Sequence, residues 1–538
     1  MDTLTTFSTR TTPQNRAADS RQKLNAAGGY TFVADADTRL NRFLTLGTDG
    51  GTYYTSAKDL TVENAEVVRY FCENRPADLV RVIVEISEAG RAPKQNPAIF
   101  ALAMCAGLAD DAGRSAALEA LPRVCRTGTH LFLFAKYVEQ FRGWGRGLRK
   151  AVGRWYTEKP VDRLAYQVVK YRQRESWTHR DLLRLAHPEA GSPDRSALMA
   201  WITHGRAETP LPYLIHDYID AQSAVQYETW ADIISRGNGL SWEMLPDAAL
   251  GHAAVWEALI HQGIPQTALM RQLPRLTKLG LLAGETGRVV AAQLQDPERL
   301  KNARVHPINV LVAQRTYASG RSARGESEWK PVPRISDALD AAFYNAFDVV
   351  EPANKRTLLA LDVSGSMTAT ASGLPISCRE ASAALAMVTA ATEPDHRVIG
   401  FTAGRAGGYF GGYGNGTAVT ELDISPRRRL DDNIQAVSGL PFSGTDCALP
   451  MIWALKNRVE VDTFHIYTDC ETWHGSIHPH QALREYRDKM GIPARLVVVA
   501  MTANGSTIAD PSDPGQLDVS GFDSTVPTLL SDFSRGSI

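Results

Sequence analysis

Cysteine is scarce in this 538-residue chain. There are six, Cys72, Cys105, Cys125, Cys378, Cys447 and Cys470, and no CxxC pair among them. Such sparse cysteines argue against a disulfide-stapled secreted scaffold and read as reduced, structural thiols. Long apolar runs are missing as well. None reaches the ~18–20 residues that span a bilayer, and the polar start MDTLTTFSTRTTPQNRAADSRQK lacks the apolar core of a signal peptide. The expectation is a cytoplasmic protein with no membrane contact. Nor does either sign of charge prevail: 58 Lys and Arg face 59 Asp and Glu, a formal charge of −1. A polyanion could be held only by a local basic patch, not by the field of the whole molecule.

What is present is ordinary globular composition, 44% hydrophobic and 22% charged. The chain is too long for one core, so two or more domains are expected. Residues 1–25 are rich in Thr, Ser and Arg and are expected to be flexible. From 26 to 350 the texture is helical. Asn96-Pro97 is a helix start, and Ile99, Leu102, Ala103 and Ala106 behind it mark one helical face. Trp256, Leu259 and Ile260 repeat that spacing. Gly/Pro loops separate the helices and strand signals are few, the pattern of a HEAT-like helical array, although no clean sequence period is visible. From 351 to 538 short apolar strands alternate with helices, which predicts a mostly parallel sheet covered on both faces.

The stretch LLALDVSGSMTAT ends a buried strand on three oxygen-bearing side chains, Asp362, Ser364 and Ser366. Gly365 permits the turn that lets them converge. Thr445 in SGTDC and Asp469 in YTDCETW fall where companion strands or loops should end. Carboxylates and hydroxyls with room for water suit a hard divalent cation, Mg²⁺ first. The order D-x-S-x-S, Thr, Asp on strand ends resembles the metal-ion-dependent adhesion site (MIDAS) of von Willebrand A domains. In such domains one coordination position stays open for a ligand carboxylate, and a phosphate oxygen would serve equally. The competing reading is that Ser364 and Ser366 merely cap the next helix.

Residues 123–188 hold fifteen Arg and Lys against five Asp and Glu in an otherwise neutral chain. In RGLRKAVGRWY, Leu148, Ala151, Val152 and Trp155 form an apolar stripe opposite Arg146, Arg149, Lys150 and Arg154. In DRLAYQVVKYRQR, Arg163, Gln167, Lys170 and Arg174 are expected on one exposed helical face. Thr178 and Asp181 resemble a capping box, and Arg180, Arg184 and His187 share a face of the short helix behind it. Arg142 and Arg172 belong to the same stretch, and Trp144, Trp177 and His179 could stack on unpaired bases. Two readings stand side by side: a phosphate-tracking surface, or a solvated basic face.

The segments NRFLTLGTDGGTYYT, KQNPAIFALA, VCRTGTHLF, GWGRGLRKAV, KYRQRESWTHRDLLRLAHP, ALDAAFYNAF, SGTDCALPMIWA and HPHQALREYRDKM resemble the Ro autoantigen (TROVE-module) family of ribonucleoproteins, and bacterial members in particular. The resemblance implies a ring of HEAT-like helical repeats closed by a von Willebrand A domain. It implies Y-like small RNA on the outer ring surface and single-stranded 3′ ends of misfolded or precursor noncoding RNA in the cavity. It further implies no catalytic activity of the chain's own, work alongside an exoribonuclease, and a monomer when free. Carried over by position, Lys170, Arg174 and His187 are RNA contacts; His187 is equally readable as a helix C-terminal residue. Segment 190–250 departs from the vertebrate members, and the Gly-rich 404–416 stretch with Arg405 is read as a loop without chemistry. A metal-dependent protein-binding scaffold is the alternative function. A metal-dependent hydrolase is disfavoured, because no second metal cluster or general base accompanies DVSGS.

Overall fold

Eighteen α-helices and four short strands precede residue 346 among the described residues. The computed structural model describes residues 11–47, 65–206, 210–322, 326–347, 350–371, 375–403, 418–438, 440, 444–523 and 525–537. The 404–416 stretch with Arg405 lies outside them. Proline sets several helix starts, at Pro76, Pro97, Pro193, Pro297, Pro307 and Pro333, where its missing N–H costs nothing. Helix Asn96–Leu108 is buried continuously from Pro97 to Ala106. It is a central helix wrapped by neighbours, so the single apolar face read from its sequence covers only part of its contacts.

The second half carries a six-stranded sheet in the order Gln516–Ser520, Arg495–Ala500, Thr463–Thr468, Thr357–Asp362, His396–Phe401, Val419–Glu421. All neighbours are parallel except the last pair. Along Thr357–Asp362 the side chains alternate between two cores. Leu359 and Leu361 face one and Leu358 and Ala360 the other, as a strand buried on both faces requires. The chain leaves this strand for His396–Phe401 on one side and returns to Thr463–Thr468 on the other. That reversal creates a crevice at the carboxyl ends, where open α/β sheets place their ligand sites.

The helical array closes on the sheet domain and on itself. Arg42, fully buried in helix Ala36–Leu46, donates to the carbonyls of Asn504 (2.7 Å) and Ser506 (2.8 Å) and to Asp518 (2.6 Å). Arg91 reaches Asp523 at 3.2 Å, and its carbonyl pairs with His306 Nε2 at 3.1 Å. The first and last helical layers therefore meet at one junction with the sheet domain. Arg315 and Glu380 (3.0 Å), and the Leu430 amide on Asp340 (2.9 Å), fasten the late helices as well.

Residues 11–24 correct one expectation. They are not a flexible tail. Gln22–Leu24 pairs antiparallel with Tyr30–Val33, which pairs with Ser506–Thr507 of the sheet domain, and Gln14 has no exposed surface. Gln516–Ser520 is a second departure: an edge strand that no apolar run announces.

Candidate metal centre and basic surface

Asp362 ends the central strand, and Asp469 follows its neighbour Thr463–Thr468 directly. Asp362, Ser364, Ser366, Thr445 and Asp469 are all at most 1% exposed. Asp362 Oδ1 accepts the Ser364 amide at 2.9 Å, which folds the loop back so that the Ser364 and Ser366 hydroxyls lie 3.1 Å apart. Ser366 also stands against Asp469. Thr445 comes from a separate loop, tied by its carbonyl to the amides of Trp473 (3.2 Å) and His474 (3.0 Å) behind Asp469. The structure thus gathers four of the five oxygen donors by direct interaction and holds the fifth on an adjoining loop.

Two oxygens in this pocket, Thr445 Oγ1 and Asp469 Oδ2, are buried without a hydrogen-bond partner. An unsatisfied buried carboxylate oxygen is costly, and two carboxylates facing each other add repulsion. Burial, with Asp362 adding its charge, pushes the Asp469 carboxyl up to about 8. Burial raises Asp362 as well. Orphaned hard oxygens and crowded negative charge are what a divalent cation would satisfy, so the residues present fit one. The Ser364 backbone precedes only a four-residue 3₁₀ turn, and its side chain makes no capping bond, which removes the capping alternative for Ser364.

Sequence reasoning missed three residues that set this geometry. Thr468 donates to Asp362 Oδ2 at 2.6 Å. Its place one residue before Asp469 at a strand end was the available signal. Arg379, buried in helix Cys378–Thr392, donates to the carbonyls of Val363 and Ser364 (3.1 Å). Gln14 touches Asp446 and Thr472 from the far end of the chain, and no local pattern marks it.

The basic stretch divides into exposed and buried groups. Helix Arg146–Thr157 buries Leu148, Ala151, Val152 and Trp155 and exposes Arg146, Arg149 and Lys150. Arg149 Nε donates to the Trp144 carbonyl at 3.0 Å, and the half-buried Trp144 and Trp177 rings lie 5.3 Å apart. Arg142 is half-buried, donating to the Ala106 carbonyl at 2.9 Å. Arg180 is exposed, and so is His187, which ends its helix with φ +46. The capping box of Thr178 and Asp181 is formed.

Three expectations need correction here. The helix Val161–Lys170 does not reach Arg174; a hairpin follows, turning through Glu175 (φ +53) and Ser176 (φ +67). Positive φ at both turn positions matches the twist of paired strands. Arg172 and Arg174 are exposed on this hairpin arm, Arg172 over Tyr218 and Arg174 at 3.5 Å from Glu175. Lys170 is not free on an open face: its side chain is 10% exposed, 2.9 Å from Tyr166 Oη and 3.4 Å from Glu243. His179 is a core residue, 2% exposed, bonded to Tyr156 Oη at 2.8 Å and packed on Phe132 and Trp155. It cannot stack on a base. Burial holds its pKa down at about 4, so it is neutral.

The TROVE domain model matches residues 23–209 and 237–355, and the Ro60 vWA domain model matches residues 356–534. This chain belongs to the Ro60 family. Among its Ro60 relatives is a protein of Deinococcus radiodurans named "RNA-binding protein RO60", 39% identical over 98% of both chains. A Caenorhabditis elegans protein of the same name is 34% identical over 96% of this chain and 90% of its own. The crystal structure of the Deinococcus radiodurans RO (RSR) protein superimposes with a TM-score of 0.69 at 38% identity, covering 94% of this chain and 100% of that one. The Ro60 fold is therefore that of both halves. The stretch left unmatched by the TROVE model, 210–236, falls inside the 190–250 segment that reads as divergent. No helix among the described residues is long and apolar enough to cross a membrane.

Proposed function

We propose that this chain binds RNA on its helical ring and takes part in noncoding-RNA quality control, maturation or decay beside an exoribonuclease. The observation that carries the reading is the near-full-length match to two relatives named RNA-binding proteins. The exposed cations Arg146, Arg149, Lys150, Arg172, Arg174 and Arg180, with His187, supply phosphate contacts for a Y-like small RNA on the outer surface. The Trp144–Trp177 pair offers half-open ring faces for unpaired bases. Lys170 joins this track only by exchanging Glu243 for a phosphate. Single-stranded 3′ ends of misfolded or precursor RNA enter the cavity, and duplexes are rejected because their bases are hidden.

The chain acts as a binding protein, not as a nuclease. Labelled RNA incubated with pure protein should remain intact; cleavage that stops on Asp362→Ala overturns this. Crosslinking and sequencing of RNA bound in cells tests the main reading. One abundant small RNA supports the Y-like role, a spread of 3′-extended precursors supports quality control, and recovery of no RNA above background sinks both.

Asp362, Ser364, Ser366, Thr445 and Asp469 hold one divalent cation in this reading, Mg²⁺ by donor chemistry. When bound, that ion screens the paired carboxylates and offers an open position to an oxygen ligand. The coordination position that a bound cation would leave open supports a second, compatible activity: recruitment of a protein partner through an acidic side chain. Partners lost to EDTA but not to nuclease would support it; partners indifferent to EDTA would remove it.

A further inference from the structure

We propose that the N-terminal arm, residues 11–33, is a working part of the metal centre, with Gln14 as its positioning residue. This rests on the cation reading above. One fully buried amide bridges the two loops that carry Thr445 and Asp469. Gln14 Nε2 donates to Asp446 Oδ1 at 2.7 Å and to the Ile477 carbonyl at 2.9 Å, and Gln14 Oε1 accepts from the Thr472 hydroxyl. Asp446 is the residue after Thr445; Thr472 lies in the loop behind Asp469 and also accepts the Cys447 amide at 3.1 Å. A side chain from the other end of the sequence thus sets the spacing between two donor loops.

The arm grips the Asp469 loop at further points. The Gln14 amide donates to the Gly475 carbonyl at 3.0 Å, and Asn25 Nδ2 to the Thr472 carbonyl at 2.8 Å. The approach is too close for side chains. A Cβ on Gly29 would lie 2.0 Å from the Thr472 carbonyl oxygen, and one on Gly475 would lie 2.7 Å from Gln14 Nε2. The arm then runs into helix Ala36–Leu46, whose Arg42 donates to the Asn504 carbonyl, while Asn504 Nδ2 donates to the Asp469 carbonyl at 2.6 Å. Metal loop, arm and first ring helix form one connected body. A cation that draws Thr445 and Asp469 together selects the loop spacing that Gln14 grips. By linkage, arm docking must tighten cation binding by the same factor that cation binding tightens the arm.

The test uses full-length protein stripped with EDTA and titrated with Mn²⁺, read by the free-ion electron paramagnetic resonance signal. Gln14→Ala and the space-filling Gln14→Met should each weaken Mn²⁺ binding by about three- to tenfold, the loss of one or two net hydrogen bonds. Arg81→Ala, on an exposed helix face, should leave it unchanged. In the wild type, saturating Mg²⁺ should slow hydrogen exchange at the Tyr30 amide, which donates to the Gln14 carbonyl at 2.8 Å. This second reading decides the matter if the Gln14 variants fail to fold. Equal Mn²⁺ affinity in wild type and folded variants, or arm exchange indifferent to Mg²⁺, overturns the inference and leaves the cation site standing. Wild type that binds no more Mn²⁺ than Asp362→Ala overturns the cation site and the inference together.

Discussion

The two candidate sites of this molecule are built on opposite principles. The centre around Asp362 and Asp469 is buried and lined by carboxyl and hydroxyl oxygens, which loops at strand ends hold in place. The surface around Arg146, Arg149 and Lys150 is open and cationic, and long side chains are spread over helices and a hairpin. In the first, a polar atom left without a partner is costly because it is desolvated. In the second, each cation contributes a screened, replaceable increment. The difference teaches that one chain can hold a site sensitive to single atoms beside one sensitive to summed charge.

A large expected effect lies at the buried site. Mg²⁺ at a hundredfold excess over Kd should stabilise the wild type by about 2.7 kcal/mol. Asp469→Asn should lose that shift and at the same time raise the stability of the EDTA-stripped protein, because the cost of burying an ionisable carboxyl beside Asp362 is gone. Thermal melts with and without Mg²⁺ measure both; an Asn variant that still responds to Mg²⁺ breaks the comparison.

Acid separates the regions next. His179 is neutral in the folded ring, with its pKa held near 4 against 6.5 for a free histidine. Its folded pKa is depressed, so its contribution is complete above 6.5 and is lost as pH falls towards 4. The loss should approach about 3 kcal/mol at one pKa unit per 1.36 kcal/mol. Denaturant melts from pH 7 to 4 should show it, and His179→Phe should make the profile shallower by that share, the rest coming from His130, His306 and His480, which burial holds near 4 as well.

At the open surface, replacing Arg146, Arg149 and Lys150 together by Gln should lower the slope of log affinity against log salt by about 2, at about 0.7 per single-strand phosphate contact. Filter binding across a salt series reads it, and an unchanged slope removes this helix from the RNA track. The smallest effect sharpens the role of Lys170. Glu243→Gln should release its ammonium and strengthen RNA binding by about two- to threefold, the scale of a partly exposed ion pair. Weaker binding in that variant would make the pair structural.

Much of this was legible in sequence for identifiable reasons. The D-x-S-x-S run could be read because a parallel strand must end in a turn, and alternate residues after it face one point. The stripe of Leu148, Ala151, Val152 and Trp155 could be read because helical period alone decides which face is buried. Lys170 was misplaced because Glu243, its partner, is set beside it by helix packing and not by chain proximity. His179 looked like a surface aromatic because nothing local says that Tyr156 and Trp155 will enclose it. The hairpin after Lys170 was invisible because its turn uses Glu175 and Ser176 at positive φ, where a signal would be Gly or Asn.

The sequence by itself determined the two textures, the sheet domain, the donor types at the strand ends and the basic helix face, since periodicity and turn chemistry act within a few residues. Only the tertiary structure decided which cations are free, which histidine is core, and that Gln14 reaches Asp446, because burial and pairing depend on elements that meet in space however far apart they lie along the chain.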